Sequence, residues 1–189
     1  MTNNIIKLTS TFLGLDDVLT YLTDTSATPT AEVTTTINQL IVFTNYVMRE
    51  ITRDYFPLKT SETVTSDENA VVNFEDLTHT ITAVNDIKNC TGLSVRYTLY
   101  PDYIKLDNPN QQYTIFYNYC PDAVSSMQDT LSLPLGLDYF VVCYGVASEY
   151  CLSKGLYEEA GMWENRFINS LKSINGKFGE KRFKTRRLK

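Results

Sequence analysis

The stretch Tyr113-Thr114-Ile115-Phe116-Tyr117-Asn118-Tyr119 decides the fold class. Tyr113, Ile115, Tyr117 and Tyr119 alternate with Thr114, Phe116 and Asn118, the period of two of a strand with two unlike faces. Aromatic and β-branched residues dominate it, as sheets prefer. Upstream, the same character recurs in Thr60–Thr65, Ala70–Phe74, Thr80–Asn85, Leu93–Leu99 and Tyr103–Leu106. Turn-forming sets separate these segments: Asp67-Glu68-Asn69, Asn89-Cys90-Thr91-Gly92, Pro101-Asp102 and Asp107-Asn108-Pro109-Asn110. Residues 59–119 are therefore expected to form a small antiparallel sheet or barrel-like unit. Tyr97, Tyr113, Tyr117 and Tyr119 read as core or sheet-face residues; several exposed together would instead mark a subunit contact.

On both sides of this unit the period becomes helical. Phe12, Leu15, Val18, Leu19 and Leu22 predict a short helix over 10–23, with Asp16 and Asp17 near its start. Thr28 and Pro29 read as an N-cap and first helical residue. A long helix is expected from there to about Asp54, with the stripe Val33, Ile37, Leu40, Ile41, Thr44, Val47, Met48, Ile51 and Tyr55. Pro57 stops it. Downstream, a helix is expected over Leu137–Ser153 with Phe140, Val141, Tyr144, Ala147, Ser148 and Cys151 inward. A second follows over Tyr157–Asn175 with the stripe Leu156, Ala160, Trp163, Phe167, Leu171 and Ile174. Gly176 and Gly179 are its expected stop.

About 60 residues are marginal as an independent domain, so the β unit reads as an insert. The expected class is α+β: a helical bundle, made of a long central helix and a C-terminal helix pair, with an inserted small antiparallel β unit. One domain spans 1–175, with helices over 10–56 and 137–175 and the β insert over 59–119. A basic extended arm, 176–189, follows.

The 189 residues carry a net charge of −5, but unevenly. Lys172 to Lys189 hold eight basic residues and only Glu180 as an acid, a balance of +7. The remaining nine basic and 21 acidic residues leave the body at −12. An acidic body repels nucleic acid on average, which argues against a groove-reading DNA binder. A basic tail can be a solvated end, a docking arm or a phosphate contact. Phe178, Phe183 and Leu188 lie among its charges. Large apolar side chains serve no purpose in a merely solvated end, so docking is favoured, with apolar anchors and Lys/Arg steering.

No run approaches 18 apolar residues, so no membrane contact is expected, and Met1–Lys7 lacks the pattern of a secretory signal. Cys90, Cys120, Cys143 and Cys151 form no C-x-x-C pair, and His79 is the single histidine. No zinc site follows, and free buried thiols in a reducing compartment are expected. Motifs for phosphate loops, nucleophile elbows and zinc proteases are absent. His79 has no orienting acid nearby in sequence and reads as an exposed strand or edge residue. Asp102, Asp107, Asn108 and Asn110 lack calcium-loop spacing and read as turn residues. Glu158 and Glu159 suit a helix start. Asn89-Cys90-Thr91 matches a glycosylation sequon, to which no weight attaches without a sign of secretion. No catalytic residue, cofactor or metal is expected.

Three stretches and their order carry a family resemblance. A long helix ends in Ile51-Thr52-Arg53-Asp54-Tyr55-Phe56-Pro57-Leu58. The β unit ends in Tyr113–Tyr119 followed by Cys120-Pro121-Asp122. Then come Asp129-Thr130-Leu131-Ser132-Leu133-Pro134-Leu135-Gly136-Leu137-Asp138 and a helix pair with Tyr150, Ala160 and Trp163. Over about residues 31–175 this resembles the head-to-tail adaptor (connector, or head-completion) proteins of tailed bacteriophages. The resemblance implies a structural virion protein, not an enzyme. It would form a ring, commonly of twelve copies, that joins the portal to the tail proteins and extends the DNA channel. Genome DNA would pass through without sequence-specific binding. Assembly would occur in the host cytoplasm, and the ring would sit in the virion neck. The docking arm, reaching the portal or a neighbouring subunit, would comprise Phe178, Lys181, Arg182, Phe183, Lys184, Arg186 and Arg187. Residues 1–30 have no counterpart in this picture. The alternatives are another neck or tail-completion protein, or a small metal-dependent nuclease built on clustered acids.

Overall fold

A computed structural model describes residues 2–24 and 28–178, with side chains described through Ile174. Helices α1 (Thr2–Leu13), α2 (Asp16–Thr23) and α3 (Ala31–Glu50) come first. Strands β1 (Leu58–Thr65), β2 (Val71–Asn73), β3 (Ile81–Asn89), β4 (Tyr97–Leu99), β5 (Tyr103–Leu106) and β6 (Gln112–Tyr119) follow. Helices α4 (Tyr139–Ser153) and α5 (Tyr157–Phe178) close the order. The class is α+β, with five helices and two three-stranded antiparallel sheets among the described residues.

The expectation of one helix over 10–23 is corrected: two helices stand there, and most of the first lies upstream. Gly14, at φ +64, breaks the chain between them. This is a left-handed conformation that glycine adopts without a Cβ penalty. The inward stripe of α1 is Ile5, Ile6, Thr9 and Ser10. Two polar members disguise it as surface. The start of α3 is corrected too. Thr30, not Thr28, is the N-cap, its hydroxyl accepting from the Val33 amide at 3.2 Å. The expected stripe is buried from Val33 to Met48. The Thr44 hydroxyl satisfies itself on the Leu40 carbonyl at 2.7 Å. Instead of running regularly to Asp54, the helix widens after Glu50 into one π turn, Ile51–Tyr55. That turn is closed by the Phe56 amide donating to the Ile51 carbonyl at 2.8 Å, and Pro57 then ends it.

The inner face expected for α4 is also corrected. Phe140 is exposed, while Val142, Cys143, Gly145, Val146 and Tyr150 are buried beside Val141, Ala147, Ser148 and Cys151. A helix apolar on every side has to be enclosed, and α4 packs against α1, α3 and α5. The central helix is thus α4 rather than the longer α3. In α5 the stripe Ala160, Phe167 and Leu171 is buried, but Leu156 lies exposed in the turn before it. Of the two glycines expected to stop the helix, Gly176 does not, and Gly179 lies outside the described residues. The backbone stays helical to Phe178, since one glycine costs a helix only about 1 kcal/mol.

The strands form two sheets, ordered β1-β6-β3 and β2-β5-β4. Tyr113, Ile115 and Tyr117 of β6 enter one apolar core with Ile87, Val72, Ile104 and Leu106. β1 and β6 are the first and last strands of the insert, yet they pair directly, from Leu58 opposite Tyr119 to Thr65 opposite Gln112. The insert therefore leaves and rejoins the helices at adjacent points. β3 runs past its expected end at Asn85 to Asn89, through two register shifts, while Leu93–Leu99 contributes the strand Tyr97–Leu99 and a single bridge from Ser94 to Lys88.

The chain between β6 and α4 is long but fastened. Asn45 on α3 clamps Val124 twice: its Nδ2 donates to the carbonyl, and its Oδ1 accepts from the amide, both at 2.8 Å. Asp129 accepts from the amides and hydroxyls of Ser125 and Ser126, which hold its carboxyl down to about 2. Thr2 and Asn3 of α1 donate to the carbonyls of Asp129 and Met127. Val124, Leu131 and Leu137 of this strap are buried in the core of the helices.

A Cβ on Gly145 would lie 2.7 Å from Val47 of α3 and 3.1 Å from Phe167 of α5. Gly145→Ala should therefore destabilise the fold by about 1–3 kcal/mol through overpacking, although alanine is the better helix former. A melting temperature at or above wild type would show that α3 and α5 can yield.

Candidate functional site

Of the residues expected to dock, Phe178 closes α5 with its backbone. Lys181, Arg182, Phe183, Lys184, Arg186 and Arg187 lie outside the described residues. The described residues offer a groove that α5 helps to form.

A groove of about 720 Å³ lies where the C-terminal end of α3, the second half of α4 and the first half of α5 meet. Its floor is made of small residues: Ser148, Ala160 and Gly161. The Ser148 hydroxyl donates to the Ala160 carbonyl at 3.1 Å and ties α4 to α5. A Cβ on Gly161 would meet nothing within 4 Å, so the floor is open. The walls are apolar and wet: Tyr46 is 57% exposed, Leu152 46% and Tyr157 73%. The groove also carries Glu50, Glu149 and Glu164, one from each helix. Burial, then the charge of Glu164, holds the Glu50 and Glu149 carboxyls above the usual 4.5. Arg53 is spent on Asp54 through two 2.9 Å hydrogen bonds, which hold the Asp54 carboxyl low. Arg49 is the remaining cation of the groove. The three glutamates make no ion pair among the described residues. They are far apart in sequence, so no linear motif announces them.

The other candidates resolve into structure. His79 does not project as an exposed ring. It is half-buried and stacked on Tyr119 with ring centroids 4.3 Å apart. Beside it, Glu62 accepts from the Tyr117 hydroxyl and from the amide and hydroxyl of Thr78, the latter two at 3.0 Å. Burial and Glu62 together push the Tyr117 phenol up. This cluster fastens the turn before β3 onto β1 and β6. Asn108 and Asn110 sit in a tight turn. The Asn108 carbonyl accepts from the hydroxyls of Ser66 and Tyr113, and Asn110 takes φ +53. Glu158 and Glu159 lie in the first turn of α5. The Asn89 side-chain oxygen accepts from the amides of Thr91 and Leu93, an Asx turn within the sequon. Among the described residues, no three His, Cys, Asp or Glu side chains are grouped to hold a metal ion.

All four cysteines are free, as expected, but only Cys143 and Cys151 are buried. Cys90 is exposed in a turn and Cys120 is half-buried. Burial pushes the Cys143 thiol up to about 12. A thiol reagent should therefore modify Cys90 fast and Cys120 more slowly in the native protein, and all four only after denaturation. Rapid native labelling of Cys143 would contradict the packing of α4.

In the groove, Glu164→Gln should raise stability at pH 7 by about 0.5 kcal/mol, by removing like-charge repulsion at an exposed position. Carboxyls held above their ordinary value bind more protons folded than unfolded, so stability rises as pH falls toward 4.5. The advantage of the variant should shrink over that range in thermal melts. No family model matches the chain, and no curated protein sequence matches it either.

Proposed function

We propose that the chain is a structural virion protein, a head-to-tail adaptor that forms a ring between the portal and the tail of a tailed bacteriophage. The observation that carries this reading is the order and joining of its parts. A long helix passes through Phe56-Pro57 into a β insert, β6 returns beside β1, and a Leu-Pro strap leads into a helix pair. That is the order on which the resemblance to adaptor proteins rests. In the finer arrangement proposed, the helices form the ring-building bundle and the β unit projects toward the tail proteins.

The charge division supports the same reading. A body of −12 lets DNA phosphates pass without sticking, and an arm of +7 supplies steering toward an acidic surface. Phe178, Lys181, Arg182, Phe183, Lys184, Arg186 and Arg187 form that arm, with the portal or a neighbouring subunit as its target. The nuclease alternative needs acids gathered around a metal, and the described residues offer no such group. No described helix is long and apolar enough to cross a membrane.

Electron microscopy of the purified protein, alone and mixed with DNA-filled capsids lacking tails, tests the proposal. The expected result is a ring seated at the portal vertex. Attachment at the distal tail end, or no attachment, would overturn it.

A further inference from the structure

The groove between α3, α4 and α5 pairs exposed apolar walls with three glutamates that, among the described residues, no ion pair neutralises. The chain also carries a segment of the opposite chemistry: Lys181-Arg182-Phe183-Lys184 sets one large aromatic ring among three cations. We propose that this segment from a second copy of the chain docks in the groove, with Phe183 as the anchor. Its ring would lie against Tyr46, Leu152 and Tyr157, and its cations would face Glu50, Glu149 and Glu164. Both halves of the match are needed. An aromatic anchor supplies contact area, and the flanking charges supply steering and register.

Chain length assigns the segment to another copy. Glu164 lies fourteen residues before Phe178 on α5, about 21 Å along the helix axis. Phe183 lies five residues beyond Phe178, a span of at most about 18 Å fully extended. With α5 intact, Phe183 cannot reach the apolar walls of its own groove: Tyr157 lies 21 residues before Phe178, about 31 Å along the helix axis. A second copy has no such tether. The groove and the segment are different surfaces, so the contact is head-to-tail. Repetition of such a contact closes into a ring when the rotation allows. The inference deepens the ring reading by naming its subunit contact, and it requires no portal.

The test uses the chain truncated after Phe178 and a labelled peptide covering Gly179–Lys189, followed by fluorescence anisotropy. Micromolar binding is expected. It should weaken at least tenfold when salt is raised from about 0.05 to about 0.3 M, as screening of charges demands. Phe183→Ala in the peptide should weaken it tenfold or more. So should Glu164→Lys or Tyr157→Ser in the truncated chain, both at exposed positions and checked for folding by circular dichroism. In sedimentation velocity the full chain should self-associate with concentration, and the truncated chain should not. Absence of peptide binding, or equal binding by Glu164→Lys and Tyr157→Ser, would overturn the docking. A monomeric full chain that refuses the peptide while the truncated chain accepts it would overturn the second-copy assignment. Failure here with a ring still seen at the portal vertex removes only this contact. Success here with no ring on capsids removes only the adaptor reading.

Discussion

The close approach of three helices at Gly145 sets the spacing of the helical half. With Val47 and Phe167 pressed against its backbone, α4 lies nearer to α3 and α5 than any side chain at that position permits. The consequence reaches the surface. One turn on, the Ser148 hydroxyl meets the Ala160 carbonyl, and the small residues there become the floor of the groove. Glu50, Glu149 and Glu164 are brought together because their helices converge. Burial at the centre thus creates the electrostatic stress at the edge, where carboxyls from three helices share one space with Arg53 diverted to Asp54.

The β unit obeys a different constraint. It is an excursion from one helical body, so its two ends must come together, and the pairing of β1 with β6 meets that requirement. Tyr113, Ile115 and Tyr117 then fill a core separate from that of the helices. The excursion begins at the π turn, which admits one extra residue per turn and delivers Phe56 to the proline out of the helical region, at φ −135 and ψ 75.

Much of this was legible in the sequence, and the exceptions have physical reasons. Alternation in Tyr113–Tyr119 and Tyr103–Leu106 located strands well, because one face of each is buried and the other is not. The stripes of α3 and α5 were legible because each has a polar side. α1 escaped notice because Thr9 and Ser10 occupy core positions, and the burial of α4 on all sides escaped because periodicity needs a contrast. Pro29 is a strong local signal that points to Thr28 as the cap, whereas the hydroxyl that meets the helix belongs to Thr30. The charge and aromatic content of the arm were plain from composition. Its matching groove was not, since Tyr46, Leu152 and Tyr157 become neighbours only after three helices have docked.

The adjacency of Leu58 and Tyr119 at the base of the β unit has a mechanical side. A pull that draws the whole unit away from the helices tensions both connecting strands side by side and leaves the ladder between them unloaded. A pull that spreads the two helical attachment points acts on that ladder from one end, opening its bonds one after another. The joint is stiff against traction and weak against splaying, so an assembly that uses it gains by keeping α3 and α4 clamped together under load.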